Sequence, residues 1–167
     1  MVVFSRFSIN HVTCTLKNAI NMKSLFDTSA YEEIKNRFNA LTEESTPSWG
    51  KMNVGQMATH CQFPLKIALS DKPRKVKWIP FVSLFKKSLY NDKVWRKSLP
   101  TAKQAKITDK RELNTEREKL LSMIDAFYNK REQTEWLPHP YFGHFTPEQW
   151  GQLEYKHLDY HLTQFGV

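Results

Sequence analysis

The sequence predicts an all-α protein, a four-helix bundle with a long basic and aromatic segment between its second and third helices. Four stretches repeat apolar residues at helical spacing, and no stretch alternates apolar and polar residues as a half-buried strand does. The chain of 167 residues is long enough for one domain with its own core. Four helices with one apolar face each bury those faces most simply against one another.

We expect residues 22–167 to form a single domain and residues 1–21 to be a doubtful N-terminal extension. The apolar residues of the extension are scattered and do not form the continuous segment of a signal peptide. Met22, which precedes the first helical pattern, is an alternative start of translation. No stretch approaches the roughly 20 apolar residues of a membrane span. The two cysteines, Cys14 and Cys61, form no metal or redox spacing, which favours a reducing, cytoplasmic location.

The first and third predicted helices have regular apolar faces. The first spans about residues 29–43 and begins with Ser29 and Glu32, which have the spacing of a capping box. The third spans about residues 109–129. Its apolar face is formed by Leu113, Leu120, Ile124 and Phe127.

The second predicted helix begins at Asn53, with Gln56 at the reciprocal capping position. Pro64 interrupts this helix, because a proline within a helix kinks it and removes one amide donor. The missing amide would have bonded the carbonyl of His60. The sequence therefore predicts a local distortion next to this histidine.

The fourth predicted helix has the strongest local signals. Thr146 is a favourable N-cap, Pro147 suits the first helical position, and Gln149 completes a capping box. The helix should continue to Phe165 and end at Gly166.

The charge of the chain is concentrated in one region. Residues 66–111 contain fourteen Lys and Arg but only three Asp, whereas the whole chain has a net charge of +8. This region includes the link between the second and third helices, residues 70–108, in which we expect one short helix near residues 80–90. A link of this length in a compact domain is usually functional or mobile.

Two histidines of the fourth helix lie on its apolar side. His157 and His161 are one turn and about 40° apart, within the arc that holds the leucines and aromatic residues. An unsatisfied buried polar group costs about 1–3 kcal/mol. A metal ion that both rings bind at about 2.0–2.1 Å would satisfy one nitrogen of each. Hydrogen bonds to a neighbouring helix would serve as well, so both interpretations stay open.

A metal site needs a third ligand, and His60 on the second helix is the best candidate. The zinc-protease motif is absent, because Leu158 stands where that motif has its general base. Three protein nitrogens with open positions for water are the arrangement of a catalytic site. Glu154, one turn before His157, is the candidate general base or orienting residue. The alternative is that Glu154 pairs with a basic residue.

Four motifs together resemble the DinB-like (YfiT-like) metalloenzyme superfamily, in a branch known only as a domain of unknown function. The resemblance covers about residues 24–167. It implies a four-helix bundle with a divalent metal, Zn, Ni, Fe or Mn, on three histidines that correspond to His60, His157 and His161. The sequence departs from its branch at Tyr160, where a further histidine is common. The motifs are Gln56-Met57-Ala58-Thr59-His60, His139-Pro140-Tyr141-Phe142-Gly143, Trp150-Gly151 and the stretch from His157 to Gly166.

Relatives in this superfamily include thiol S-transferases that use bacillithiol or mycothiol, and a thiol-dependent maleylpyruvate isomerase. We therefore expect a metal-dependent transferase or hydrolase that acts on a small molecule, with a low-molecular-weight thiol as one candidate substrate. One alternative is a module that binds nucleic acid or an anionic surface through residues 66–111, although no nucleic-acid fold is recognisable. Another is a metal-stabilised structural protein. We also expect that the protein can form a homodimer, although no motif of the sequence supports this expectation.

Overall fold

The computed structural model describes residues 22–77 and 79–167 of the chain. The predictions for residues 1–21, including Cys14, lie outside the described residues. Within them the secondary structure is helical, with no strand, and one isolated bridge pairs His139 with Gly143. The expected all-α class is confirmed for this part of the chain.

The described residues form five α-helices and two short 3-10 helices. The predicted short helix in the link is confirmed as α3 with the 3-10 turn that follows it. The α-helices are α1 (Thr28–Asn39), α2 (Val54–Ala68), α3 (Val82–Lys86), α4 (Leu113–Tyr128) and α5 (Pro147–Gln164), and the 3-10 helices span Lys87–Leu89 and Lys103–Ala105.

The capping boxes predicted for α2 and α5 are both present. In α2, the side chain of Asn53 accepts from the backbone N–H of Gln56 at 2.8 Å, and the Gln56 side chain accepts from the Asn53 N–H at 3.0 Å. Thr146 and Gln149 exchange the same two bonds at the start of α5. Each box satisfies two backbone donors that the first turn leaves free.

The capping box predicted at Ser29 and Glu32 is wrong. The N-cap of α1 is Asp27, and the helix ends at Asn39 rather than near residue 43. The Asp27 side chain does not cap the helix, because its carboxylate accepts from the backbone N–H of Ser24 at 3.0 Å. The Asp27 carboxylate therefore binds the turn that precedes α1, and no side chain of the described residues caps the start of this helix.

The start of α4 also differs from the sequence prediction. The helix begins at Leu113, four residues later than expected. The first amide of α4, that of Leu113, donates to the carboxylate of Glu43 at 2.7 Å. Glu43 lies 70 residues earlier in the chain, so no local pattern could reveal it.

Pro64 does not end α2, which runs from Val54 to Ala68 as one helix. The proline therefore lies inside the helix, as the sequence predicted. Cys61 and Leu65, on either side of the proline, are completely buried. Packing on both sides of Pro64 offsets the single hydrogen bond that proline removes.

The first and last long helices run in the same direction. The backbone amide of Leu25 donates to the carbonyl of Gly151 at 2.9 Å near the start of both helices. Near their ends, Arg37 forms an ion pair of 2.7 Å with Asp159. These two contacts make α1 and α5 parallel neighbours.

The helices α2 and α4 are parallel as well. The side chain of Gln56 donates to the carbonyl of Asp109 just before α4, and Gln62 donates to the carboxylate of Glu116 at 2.7 Å about two turns further on. The link between two parallel helices has to return along their length, which is about 22 Å for the 15 residues of α2. The length of the link therefore has a topological cause.

The core lies between the four long helices. Its largest completely buried side chains come from all of them and from the segments that flank α1: Trp150, Phe38, Phe127, Leu25, Ile34, Leu41, Met57, Leu65, Leu113, Leu120, Ile124 and Leu158. Among the described residues, no helix combines the length and the apolar character that crossing a membrane requires.

The segment before α5 is a tight turn closed by His139. The ring Nδ1 of His139 accepts from the backbone amides of Tyr141 and Phe142 at 3.1 and 3.3 Å. The backbone of His139 pairs in both directions with Gly143, which has φ +71°. Burial, with the positive charges of Arg74 and Lys86, lowers the pKa of His139 to about 4. These bonds support a rigid turn that leads into α5.

We predict that His139 contributes to acid sensitivity. Below pH 6.5 the unfolded chain protonates this residue, whereas the folded protein keeps it neutral until about pH 4. The free energy of unfolding should therefore fall as the pH falls through this window, by about 2–3 kcal/mol at pH 4.5 from this group alone. Urea unfolding of the wild type and of His139→Asn at pH 7.5 and 4.5 measures this contribution. Asparagine keeps an acceptor at the position of Nδ1 but does not titrate.

The control is His144→Asn, because His144 is exposed. An equal loss of stability in the wild type and in His139→Asn between the two pH values would contradict the assignment.

Candidate metal centre

Three histidines converge between α2 and α5. His60 comes from α2, and His157 and His161 come from successive turns of α5. One ring nitrogen of each lies within 4.8 Å of the others. The sequence prediction named these three residues, and the fold brings them together. We call them the histidine cluster.

A carbonyl of the link fixes the tautomer of His60. The Nδ1 of His60 lies 2.8 Å from the backbone oxygen of Ala105. A carbonyl oxygen only accepts, so Nδ1 carries the proton and Nε2 presents its lone pair. This Nε2 lies 3.2 Å from the Nε2 of His157, which places the lone pair inside the cluster.

An amide relay fixes the tautomer of His161. The Nε2 amide of Gln164 donates to the backbone carbonyl of Trp49, so its Oε1 faces the ring. The Nδ1 of His161 lies 2.9 Å from that oxygen and therefore carries the proton. The Nε2 of His161 is left as a lone pair. Such outer contacts hold metal-binding histidines in place.

The spacing of the nitrogens fits a shared divalent ion. Two nitrogens that bind one tetrahedral ion at about 2.0–2.1 Å lie about 3.3 Å apart. The two Nε2 atoms of His60 and His157 are 3.2 Å apart. The Nδ1 of His157 is buried and has no hydrogen-bond partner among the described residues, and it would keep the ring's proton if Nε2 bound the ion. The cluster could therefore hold a metal ion.

Burial keeps the cluster in the form that binds metals. It lowers the pKa of His161 to about 3, with a further contribution from His60. The pKa of His157 is lowered well below its ordinary value by burial and by the two neighbouring rings, and burial also lowers the pKa of His60. All three imidazoles are neutral at pH 7. Only a neutral imidazole has the free lone pair that a metal needs.

Aromatic side chains surround the outer side of the cluster. The ring of Trp95, from the link, is centred 6.3 Å from His157, and that of Tyr160 is centred 5.1 Å from His161. Trp49 donates from its indole nitrogen to the hydroxyl of Tyr160 at 3.3 Å. Sequence reasoning did not assign Trp49 or Trp95 to the site, because they belong to loops without periodicity. Tyr160, the position at which the sequence departs from the pattern it resembles, is one of these aromatic residues.

Cys61, next to His60, is completely buried. Its thiol donates to the sulfur of Met57 at 3.6 Å. Burial and the nearby Glu154 raise the pKa of this thiol. These surroundings are those of a buried apolar residue rather than of a nucleophile.

Glu154 is completely buried on α5, and neither carboxyl oxygen has a hydrogen-bond partner among the described residues. Burial raises its pKa to about 8, so the carboxyl group is protonated at neutral pH. Within the described residues, no basic group pairs with it. Its side chain is not among those that offer ligand atoms to the cluster. A neutral carboxyl group donates a proton more readily than it accepts one, so a role as general acid fits this environment better than one as general base.

We predict that Glu154 lowers the stability of the fold at neutral and alkaline pH. The unfolded chain ionises this group above about pH 4.5, but the folded protein keeps it neutral until about pH 8. Stability should therefore fall as the pH rises through this window. At pH 7 the cost is about 3 kcal/mol, and Glu154→Gln should remove most of it.

Denaturant unfolding of Glu154→Gln and of the wild type between pH 5 and pH 8 tests this prediction. Glu118→Gln, an exposed position on α4, is the matched control. A difference between Glu154→Gln and the wild type that does not grow with pH would show that Glu154 ionises normally.

The comparisons with known proteins identify a family. The family described as "Protein of unknown function (DUF1569)" matches residues 20–166, which include α1 to α5 and the histidine cluster. The search of curated proteins gives no match, and neither does the search of solved structures. Because the match covers nearly the whole sequence, the chain belongs to the DUF1569 family.

Proposed function

We propose that the histidine cluster binds a divalent metal ion and that the protein is a metal-dependent enzyme. The observation that carries the proposal is the convergence of three neutral imidazoles within 4.8 Å. In His60 and His161, a hydrogen bond on the far side of the ring directs the lone pair inward. A bound divalent ion lowers the pKa of a water or thiol ligand, or polarises a substrate oxygen.

The three-histidine donor set supports a catalytic site. Structural zinc sites usually have four protein ligands, whereas catalytic sites have three and keep a position for water or substrate. Among the described residues, one group of three or more histidine, cysteine or acidic side chains has its ligand atoms close enough together to share a metal ion. This group is the histidine cluster. A set made only of imidazoles suits zinc, nickel or iron better than manganese, which favours oxygen ligands.

The position of the histidine cluster supports a relation to the DinB-like (YfiT-like) superfamily. In the proposed four-helix bundle, α1 and α5 run one way and α2 and α4 run the other way. The cluster lies between α2 and α5, on the histidines that the resemblance implies. By this relation we propose a transferase or hydrolase that acts on a small molecule. A low-molecular-weight thiol is the first candidate cosubstrate.

Glu154 is the proposed catalytic acid, because its buried carboxyl group keeps a proton at neutral pH. It lies one turn before His157 on the same helix. A buried group that destabilises the fold is retained most readily where it is needed for function. Loss of turnover in Glu154→Gln, together with unchanged metal content, would support this role.

We predict that the wild-type chain, purified without an affinity tag, contains about one divalent ion per molecule by elemental analysis. His157→Ala should lose most of the bound metal, because one of the three ligand nitrogens is gone. His144→Ala is the matched control, since His144 is exposed and lies outside the cluster. Wild-type protein that stays free of zinc, nickel, iron and manganese, even after incubation with each, would overturn the proposal.

The reaction class needs a separate assay. The metal-loaded protein is tested for conjugation of a model electrophile with bacillithiol and mycothiol, and for hydrolysis of activated esters and amides. Turnover by wild-type and His144→Ala proteins, but not by His157→Ala, supports the enzyme. Metal removal that unfolds the chain, with no turnover of any tested substrate, would favour a metal-stabilised structural protein instead.

We predict that Gly50 controls metal affinity although it binds no metal. A Cβ atom at Gly50 would lie 2.5 Å from the Nε2 of Gln164, whose Oε1 orients His161. Gly50→Ala should displace Gln164 and weaken metal binding by about 10–100-fold, the usual effect of losing an outer contact of a ligand.

The control for this prediction is Gly143→Ala. Both glycines have positive φ, +86° at Gly50 and +71° at Gly143, but a Cβ at Gly143 meets nothing within 4 Å. Both variants therefore carry the backbone strain, and only Gly50→Ala disturbs Gln164. Zinc affinity is measured by competition with a chromophoric chelator. Equal affinities in the two variants would contradict the proposed relay.

A further inference from the structure

The link between α2 and α4 exposes large apolar side chains at α3. Phe81, Leu84 and Phe85 are 74%, 73% and 63% exposed, and we call them the apolar patch. Val76 and Ile79, just before it, are exposed as well. Single apolar residues are common on protein surfaces, but several large ones within ten residues indicate a contact surface.

The backbone of Phe81 strengthens this interpretation. Phe81 has φ +61° and ψ 0°, the left-handed conformation. A residue with a bulky side chain is rarely found there, because its Cβ atom crowds the backbone. Strain of this kind is usually offset by buried contacts of the same residue, but the Phe81 ring is mostly exposed. Contacts of the Phe81 side chain within the folded chain therefore offset little of the backbone strain at this residue.

Basic residues flank the apolar patch in the sequence. Residues 72–97 contain nine Lys and Arg and a single acidic residue, Asp92. Two of the lysines, Lys86 and Lys87, directly follow Phe85. The full set of basic residues is Lys72, Arg74, Lys75, Lys77, Lys86, Lys87, Lys93, Arg96 and Lys97.

Hydrogen bonds hold the other side of this segment against the rest of the fold. The backbone amide of Lys77 donates to the carbonyl of Pro140 at 2.7 Å, and the ammonium group of Lys86 donates to the carbonyl of His144. On α5, the ammonium group of Lys156 donates to the carbonyls of Ser88 and Asn91, both at 2.8 Å. The apolar patch is therefore presented on an anchored segment.

We propose that the apolar patch and the basic residues around it bind the surface of an anionic lipid bilayer. Apolar side chains that enter the acyl boundary, with lysines at the level of anionic headgroups, are the two components of peripheral membrane binding. Phe81 and Phe85 could also stack on bases, but Leu84 offers a nucleic acid no stacking surface. This surface is independent of the proposed metal chemistry.

The test is co-sedimentation of the full chain with vesicles of phosphatidylcholine, with and without phosphatidylglycerol. Binding is expected only to the anionic vesicles and should weaken as salt rises, because screening reduces the attraction of the lysines. Leu84→Ser/Phe85→Ser should weaken binding at least tenfold, since two apolar anchors are lost. Lys75→Glu/Lys87→Glu should weaken it by about fivefold or more for each position.

Leu137→Ser and Lys51→Glu are the matched controls, because both residues are exposed and lie outside residues 72–97. All four variants change exposed side chains, and circular dichroism checks that each is folded. Three outcomes would overturn the proposal: no retention by anionic vesicles, equal retention by both kinds of vesicle, or controls that weaken binding as much as the patch variants. Two other outcomes would assign the surface elsewhere: tighter binding to a single-stranded oligonucleotide than to vesicles, or a dimer in sedimentation that Leu84→Ser/Phe85→Ser dissociates.

Discussion

The parallel course of α2 and α4 is the constraint on which the rest of the structure depends. Gln62 and Glu116 hold the two helices side by side through a buried bond of 2.7 Å. Two adjacent parallel helices cannot be joined by a tight turn, so residues 69–112 have to cross back over the fold. That crossing brings Ala105 to His60 and Trp95 to His157. The link thus supplies contacts that the four long helices alone could not provide.

The histidine cluster and Glu154 place four ionisable groups in surroundings that disfavour charge. The three rings and the Glu154 carboxyl group are neutral for the same reason: burial penalises the charged form, which lowers the pKa of each histidine and raises that of Glu154. A core built for stability alone would replace these groups with apolar residues. Their presence together on facing turns of α2 and α5 is the physical reason to propose this region as the functional part of the fold.

Sequence reasoning succeeded where the determining contacts are local. The capping boxes of α2 and α5 depend on residues three apart, and the inward direction of His157 and His161 follows from helical geometry. It failed where the partner is distant in sequence: Glu43 sets the start of α4. The outer contacts of the cluster were missed for the same reason, because any residue, such as Ala105, can offer a carbonyl.

The link is held over the cluster at two points, and this explains how a long segment can take part in a precise site. Lys156, one residue before His157, is buried and donates to Ser88 and Asn91, while Ala105 accepts from His60. Burying a charged ammonium group costs free energy, and this cost lowers the pKa of Lys156 to about 8. The two carbonyl groups accept hydrogen bonds from the ammonium group and offset part of the cost. Trp95 lies between the two attachment points in sequence and 5.3 Å from the Lys156 ammonium group. A change in the link near either point therefore acts directly on the environment of the histidines, although no link residue belongs to the cluster.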